Sequence, residues 1–230
     1  MPQFPDPDPN WQTRLEPVFQ LYAGLLRGGN PEAGLGGKLL WAGELDEGGC
    51  SLMRAANIAG AASLGCADDP AALRHANRDG VADFLVTSLD EALRILKNEV
   101  RRRQAVSVGV SVEPRTIVAE MLERGVLPDL LPPAEWEGRA DLGRFLDHGA
   151  RGVNVCPLHE GWRFIAWSPA PMEFDTMAAA ILPVDDQLNR RWLRLSPRYL
   201  GPAARRVRSL ACTAEMAARL AAVQVERESR

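Results

Sequence analysis

Between Lys38 and Leu131 short apolar runs alternate with longer stretches of helical spacing. Lys38–Ala42, Ala61–Leu64, Ala82–Val86, Ala105–Val110 and Val126–Leu131 read as strands, the last with Pro128 near its start. The segments between them carry helix signals. One helix is predicted from about Cys50 to Gly60, its Ala55, Ala56 and Ala59 allowing close packing on a sheet. Asp69 followed by Pro70 predicts the start of a second, ending at Gly80. Ser88 with Glu91 three residues on is a capping box, and Leu89, Ala92, Leu93, Leu96 and Val100 form the apolar stripe behind it. Glu113-Pro114 opens a further helix that closes at Arg124-Gly125.

This alternation predicts an α/β fold with a Rossmann-like, doubly wound, mainly parallel sheet. Strands near 38–42, 82–86 and 105–110 are expected parallel and adjacent, with helix 88–103 on one face. Upstream, Leu15, Val18, Phe19, Tyr22, Leu25 and Leu26 mark one face of a helix over Trp11–Arg27, stopped by Gly28-Gly29. Beyond Pro132-Pro133 a mixed α+β part is expected, with helices over Ala140–His148, Asp185–Leu195 and Pro202–Glu226 and a strand over Phe164–Trp167. The division is therefore a leader and helix over 1–29, a Rossmann-like domain over 30–131 and a C-terminal part over 132–230.

Composition narrows the chemistry. The 230 residues, 46% of them hydrophobic, suffice for one large domain or a domain with an appendage. A net charge of −3 gives no reason to expect a nucleic acid, and Arg101–Arg103 reads as the solvated C-terminal end of a helix. No apolar window is long enough to predict a membrane span, and the Pro-rich, acidic start (Met1 to Pro9) is unlike a signal peptide. Cys50, Cys66, Cys156 and Cys212 are widely spaced, which suits a reducing cytoplasm. With only His75, His148 and His159 besides, no metal-ligand spacing is present.

Several of these segments together resemble the urocanase (urocanate hydratase) family. Lys38-Leu-Leu-Trp-Ala-Gly43 is similar to the strand before that family's glycine-rich loop, and Val86-Thr-Ser-Leu-Asp-Glu-Ala-Leu93 to its T-D-L-D-D-A-L. Ser107-Val-Gly109, then Glu120-Met-Leu-Glu-Arg-Gly-Val-Leu-Pro-Asp129, resembles S-I-(A/G)-L followed by E-L-V-K-R-G-V-R-P-D. Farther on, Cys156-Pro-Leu-His-Glu-Gly-Trp-Arg-Phe164 lies without gaps on C-R-G-x-G-P-F-R-W. Ile181-Leu-Pro-Val-Asp-Asp186 and Arg191-Trp192-Leu193 follow L-I-P-D-D and R-W-L, and Gly201–Arg205 more loosely follows G-L-P-A-R.

The resemblance implies NAD as cofactor, with Gly43, Gly48 and Gly49 at its phosphates and an acid after the second strand at its ribose. That acid falls near Gly65, so Asp68 or Asp69 serves only by a shift of register. It also implies hydration of urocanate, a lyase reaction of histidine degradation. Cys156 becomes a candidate pocket thiol, with His159 or Arg163 to favour its thiolate, and Arg163 a candidate clamp for a substrate carboxylate. The same residues also read as a small buried hydrophobe and a strand-edge arginine. Arg205 is a weaker candidate, since Arg205, Arg206 and Arg208 also fit a polar helix face.

The departures from the family are pointed. Its loop reads A-G-L-G-G-M-G-G, whereas here Glu44, Leu45, Asp46 and Glu47 stand between Gly43 and Gly48. They read as a solvated acidic loop rather than a cation site. Each carboxylate held about 4 Å from a phosphate costs about 4 kcal/mol at an effective dielectric near 20. After Asp129 the family's T-D-Q-T-S-A-H-D-P is replaced by Leu130–Trp136. Family members are much longer, and their terminal regions complete the active site. NAD binding is accordingly expected to be weak or absent, and the chain inactive alone. The alternative is a non-catalytic module that binds a small, anionic molecule, a partner, or a second copy of itself as a homodimer.

Overall fold

The computed structural model describes residues 9–134, 142–170 and 172–220. The proposed leader, the start of the helix expected from Ala140 and the end of the one expected to reach Glu226 lie outside the described residues. Two compact units divide the chain: Leu21–Cys156, and Met1–Gln20 with Pro157–Arg230.

Six strands form the sheet of the first unit: β1 (Leu39–Glu44), β2 (Ala62–Cys66), β3 (Phe84–Val86), β4 (Ser107–Val110), β5 (Leu130–Leu131) and β6 (Arg151–Gly152). Their order is β3-β4-β2-β1-β5-β6, and every pair is parallel. The helices between them are α2 (Glu47–Ala59), α3 (Pro70–Arg78), α4 (Leu89–Arg101), α5 (Pro114–Glu123) and α6 (Gly143–Asp147). The expected fold class is thus present.

Strand adjacency differs from the expectation in one respect. β3 and β4 are neighbours, but β2 separates β4 from β1. β2 pairs through all five of its residues with β1 and through four with β4, so it is the centre of the sheet. Its residues, Ala-Ser-Leu-Gly-Cys, are all buried, and small side chains suit a strand covered on both faces. β5 and β6 are only two residues each. The apolar run from Val126 therefore shrinks to Leu130–Leu131, and β6 has too short a pattern to be seen in sequence.

The helices lie on two faces of the sheet. Leu89, Leu93 and Leu96 of α4, Ile117 and Met121 of α5 and Phe145 of α6 share one core with Trp41, Leu64, Val108 and Leu131. The alternate residues, Ser63, Gly65, Ser107 and Gly109, face α2 and α3. Asn57 of α2 donates to Ser107 Oγ at 3.1 Å. Cβ atoms on Gly65 and Gly109 would run into Met53 of α2 and Leu73 of α3. β1 runs left to β2 while β4 crosses back to β5, so the topological switch lies between β1 and β5.

The second unit holds an antiparallel pair, β7 (Trp162–Trp167) and β8 (Arg208–Thr213), with α7 (Phe174–Ile181) and α8 (Gln187–Tyr199). Helix α1 (Pro9–Leu26) spans the point where the two units divide. The helix expected over Pro202–Glu226 is not continuous. A 3-10 turn (Pro202–Ala204) is followed by β8, and helix resumes only over 214–220. All six residues of β8 pair with β7, a non-local gain that overrides the helical preference of the alanines around it. α8 also runs through Pro197 to Tyr199, beyond the expected end at Leu195. Ile165, Trp167, Phe174, Met177, Leu193 and Leu210 form the unit's core, and Phe19, Phe164 and Trp192 an aromatic group with ring centroids 5.1–6.0 Å apart.

Candidate functional site

Parallel strands bring all the strand-to-helix turns to one edge of the sheet, where open α/β folds hold ligands. The turn from β1 to α2 is the one that cradles phosphate when it is built of bare glycine amides. Here Gly43 has φ +83°, and the register with β2 slips between Trp41 and Gly43. A side chain would strain that backbone, and the bulge re-aims the chain at the strand's end.

The next residues build a helix cap. Asp46 has extended backbone, and its Oδ1 accepts the Gly49 N–H at 2.7 Å. The Asp46 carbonyl accepts from Cys50 N–H at 2.9 Å. α2 therefore begins at Glu47, three residues before the expected start, because Asp46 supplies the acceptor. A Cβ on Gly49 would sit 1.9 Å from the Glu44 carbonyl oxygen, so only glycine allows the helix this close to β1.

The acidic loop expected between Gly43 and Gly48 is four different things. Glu44 ends β1 and Glu47 opens α2, both exposed. Asp46 is the cap. Leu45 points inward and is only 6% exposed. Its N–H donates to the Cys66 carbonyl at 2.8 Å. Its Cδ2 lies 2.5 Å from where a Gly65 Cβ would stand, and its Cδ1 3.4 Å from that of Gly109. Leu45 thus covers the bare backbone of β2 and β4. Its glycine partners come from two other strands, so the only local signal for it is an apolar residue between two acids.

The neighbouring turns are closed in the same way. Asp69 accepts from Ala71 N–H at 2.8 Å at the start of α3. Glu91 accepts from both the N–H and the hydroxyl of Thr87, and Ser88 from Glu91 N–H, at the start of α4. Glu113 accepts from Thr116 N–H at 2.8 Å at the start of α5. Hydrogen bonds from Thr87 hold the Glu91 carboxyl below its usual range, and those from Arg115 and Thr116 do the same for Glu113. Desolvation pushes the Cys50 thiol up, against the pull of Arg54.

The sequence-predicted residues fall into four places. Gly43, Gly48 and Gly49 come together at the β1–α2 turn. Asp68 is exposed in the bend before Asp69. Cys156, half-buried, ends the first unit, while His159 and Arg163, both exposed, belong to the second. Arg163 lies on β7 opposite Cys212, and His159 meets Trp162 edge-on at 5.7 Å. A cleft of about 470 Å³ between α5 and α6, lined by Arg115, Val118, Leu122 and Arg144, contains none of these residues.

Residues 27–133 match the model of the urocanase Rossmann-like domain. Over these residues the chain carries a urocanase-type Rossmann-like domain. The match begins directly after α1 and takes in β1 to β5, so the β1–α2 turn lies within the urocanase frame. That frame is of a kind compatible with NAD, whose pyrophosphate would come to the start of α2. At that point the Gly49 amide already serves Asp46, and Glu47 stands in the first turn. Among the described residues no group of three or more His, Cys, Asp or Glu is placed to hold a metal. Nor is any described helix long and apolar enough to cross a membrane.

Proposed function

We propose that this chain keeps the urocanase-type Rossmann-like frame without the dinucleotide and does not hydrate urocanate by itself. The observation that supports this best is the 2.7 Å bond from Gly49 N–H to Asp46. A phosphate would have to displace that carboxylate and then lie beside Glu47, so the residues of the turn do not fit a pyrophosphate. Without an oriented dinucleotide the family's reaction has no electrophile to which the substrate can add. The role left to the chain is a non-catalytic one, binding a small molecule, a partner or a second copy of itself in a reducing compartment such as the cytoplasm, which suits its four free cysteines.

The test is the loss of urocanate's ultraviolet absorbance on incubation with purified protein and NAD⁺. No loss above that of heat-treated protein is expected. Turnover that scales with protein concentration would overturn the proposal.

A further inference from the structure

We propose, resting on that reading, that Leu45 is the residue that decides against a dinucleotide in this domain, by filling the groove over β2 and β4. Two kinds of obstacle meet at the β1–α2 turn, and they differ in how readily they yield. Asp46 is exposed, and its carboxylate is a hydrogen-bond acceptor like the phosphate that would replace it. An exposed cap can swing into solvent and hand its amide to a competing anion. Leu45 has no such freedom. It is 6% exposed, its N–H is bonded to Cys66 on one side, and on the other Asp46 starts the helix.

The groove it fills has a definite shape. Gly65 and Gly109 are register partners on adjacent parallel strands, one residue short of the carboxyl ends of β2 and β4. Two facing glycines leave a shallow groove on the α2–α3 side of the sheet, walled by Met53 at Gly65 and by Leu73 at Gly109. Leu45 reaches across both, with Cδ2 toward Gly65 and Cδ1 toward Gly109. Leu73 and Leu85 close the far end over Gly109, so Leu45 completes an apolar cover. This lies on the β2 side of the switch between β1 and β5, where a nucleotide following the turn would be laid. Charge at the turn thus weakens an anion's hold, but volume in the groove removes the place for the nucleoside.

The experiment compares wild type, D46N, L45A and L45A/D46N by calorimetric titration with NAD⁺ and with ADP-ribose, each protein first checked for a cooperative melt. Asparagine caps a helix as well as aspartate does, so D46N removes charge and leaves the cap. Wild type and D46N should show no saturable heat. L45A should gain some, and L45A/D46N should bind ADP-ribose at least roughly tenfold more tightly than D46N. A folded L45A/D46N that gains nothing would overturn the inference, as would a D46N that gains as much as the double variant. If neither L45A nor the milder L45V melts cooperatively, Leu45 is core rather than a plug and the inference also fails. Saturable NAD⁺ binding by wild type would instead overturn the proposed function.

Discussion

The two units both cap helices locally, but a helix-to-strand reach carries a different part of the load in each. In the Rossmann-like unit the starts of α2 to α5 are closed by side chains at most four residues away: Asp46, Asp69, Ser88 with Glu91, and Glu113. The second unit also has local caps, Asp186 accepting from Asn189 N–H and Thr213 from Met216 N–H, but there side chains of α8 also close backbone groups of β8 and α7. The Asn189 side chain donates to the Ala211 carbonyl at 2.8 Å and accepts the Ala211 N–H at 3.1 Å, closing the outer side of β8 from α8. Arg190 donates to the carbonyls of Ala179, Leu182 and Pro183 at the end of α7. Trp192 Nε1 donates to Ser209 Oγ. A local cap is a detachable addition to a helix held elsewhere, whereas a reach from α8 to β8 is part of the core itself.

That difference is open to attack by substitution. N189A should have the largest effect, since it strands the N–H and C=O of the buried Ala211. At about 1–3 kcal/mol for each unmet group, a loss of roughly 3 kcal/mol is expected in urea unfolding. R190A should come next at about 1–2 kcal/mol, because its carbonyls lie nearer to solvent and water can replace part of the bonding. D46A should cost about 1 kcal/mol, the ordinary worth of an N-cap, and D46N much less. Equal losses for N189A and D46A would erase the distinction between a local cap and a reach from α8 to β8.

Acid provides a finer test. Glu91 and Glu113 have folded values below the unfolded glutamate value of about 4.3. Their stabilisation is therefore fully present above about pH 4.3 and is lost as pH falls through the lower folded values. The urea midpoint should drop over that window, and E91Q/E113Q should flatten the drop by starting from a lower midpoint at neutral pH. An unchanged acid limb in the double variant would show that these two caps contribute nothing to acid stability.

The same distinction explains what was legible in the sequence. Asp69-Pro70, Ser88 with Glu91, and Glu113-Pro114 were readable because a cap and its helix lie within a few residues. The alternating runs likewise yielded the parallel sheet. Asp46 with Gly49 three residues on is the same kind of local signal, but beside a glycine-rich family loop its charge stands out more than its geometry. β8 was hidden because its Leu-Ala-Cys centre has no strong strand pattern of its own; pairing with β7 and bonds to Asn189 and Trp192 make it a strand. Leu45 was hidden for the same reason, since its partners, Gly65 and Gly109, lie 20 and 64 residues on in the chain.

The central claim is that the carboxyl edge of this urocanase Rossmann-like domain is closed by its own residues. The Gly49 amide lies at that edge, and its nitrogen–proton resonance in labelled protein reports directly on whether a pyrophosphate reaches it. During titration with NAD⁺ to millimolar concentration that resonance should stay in place, still bonded to Asp46. A saturable shift of Gly49 with a micromolar midpoint would contradict the account.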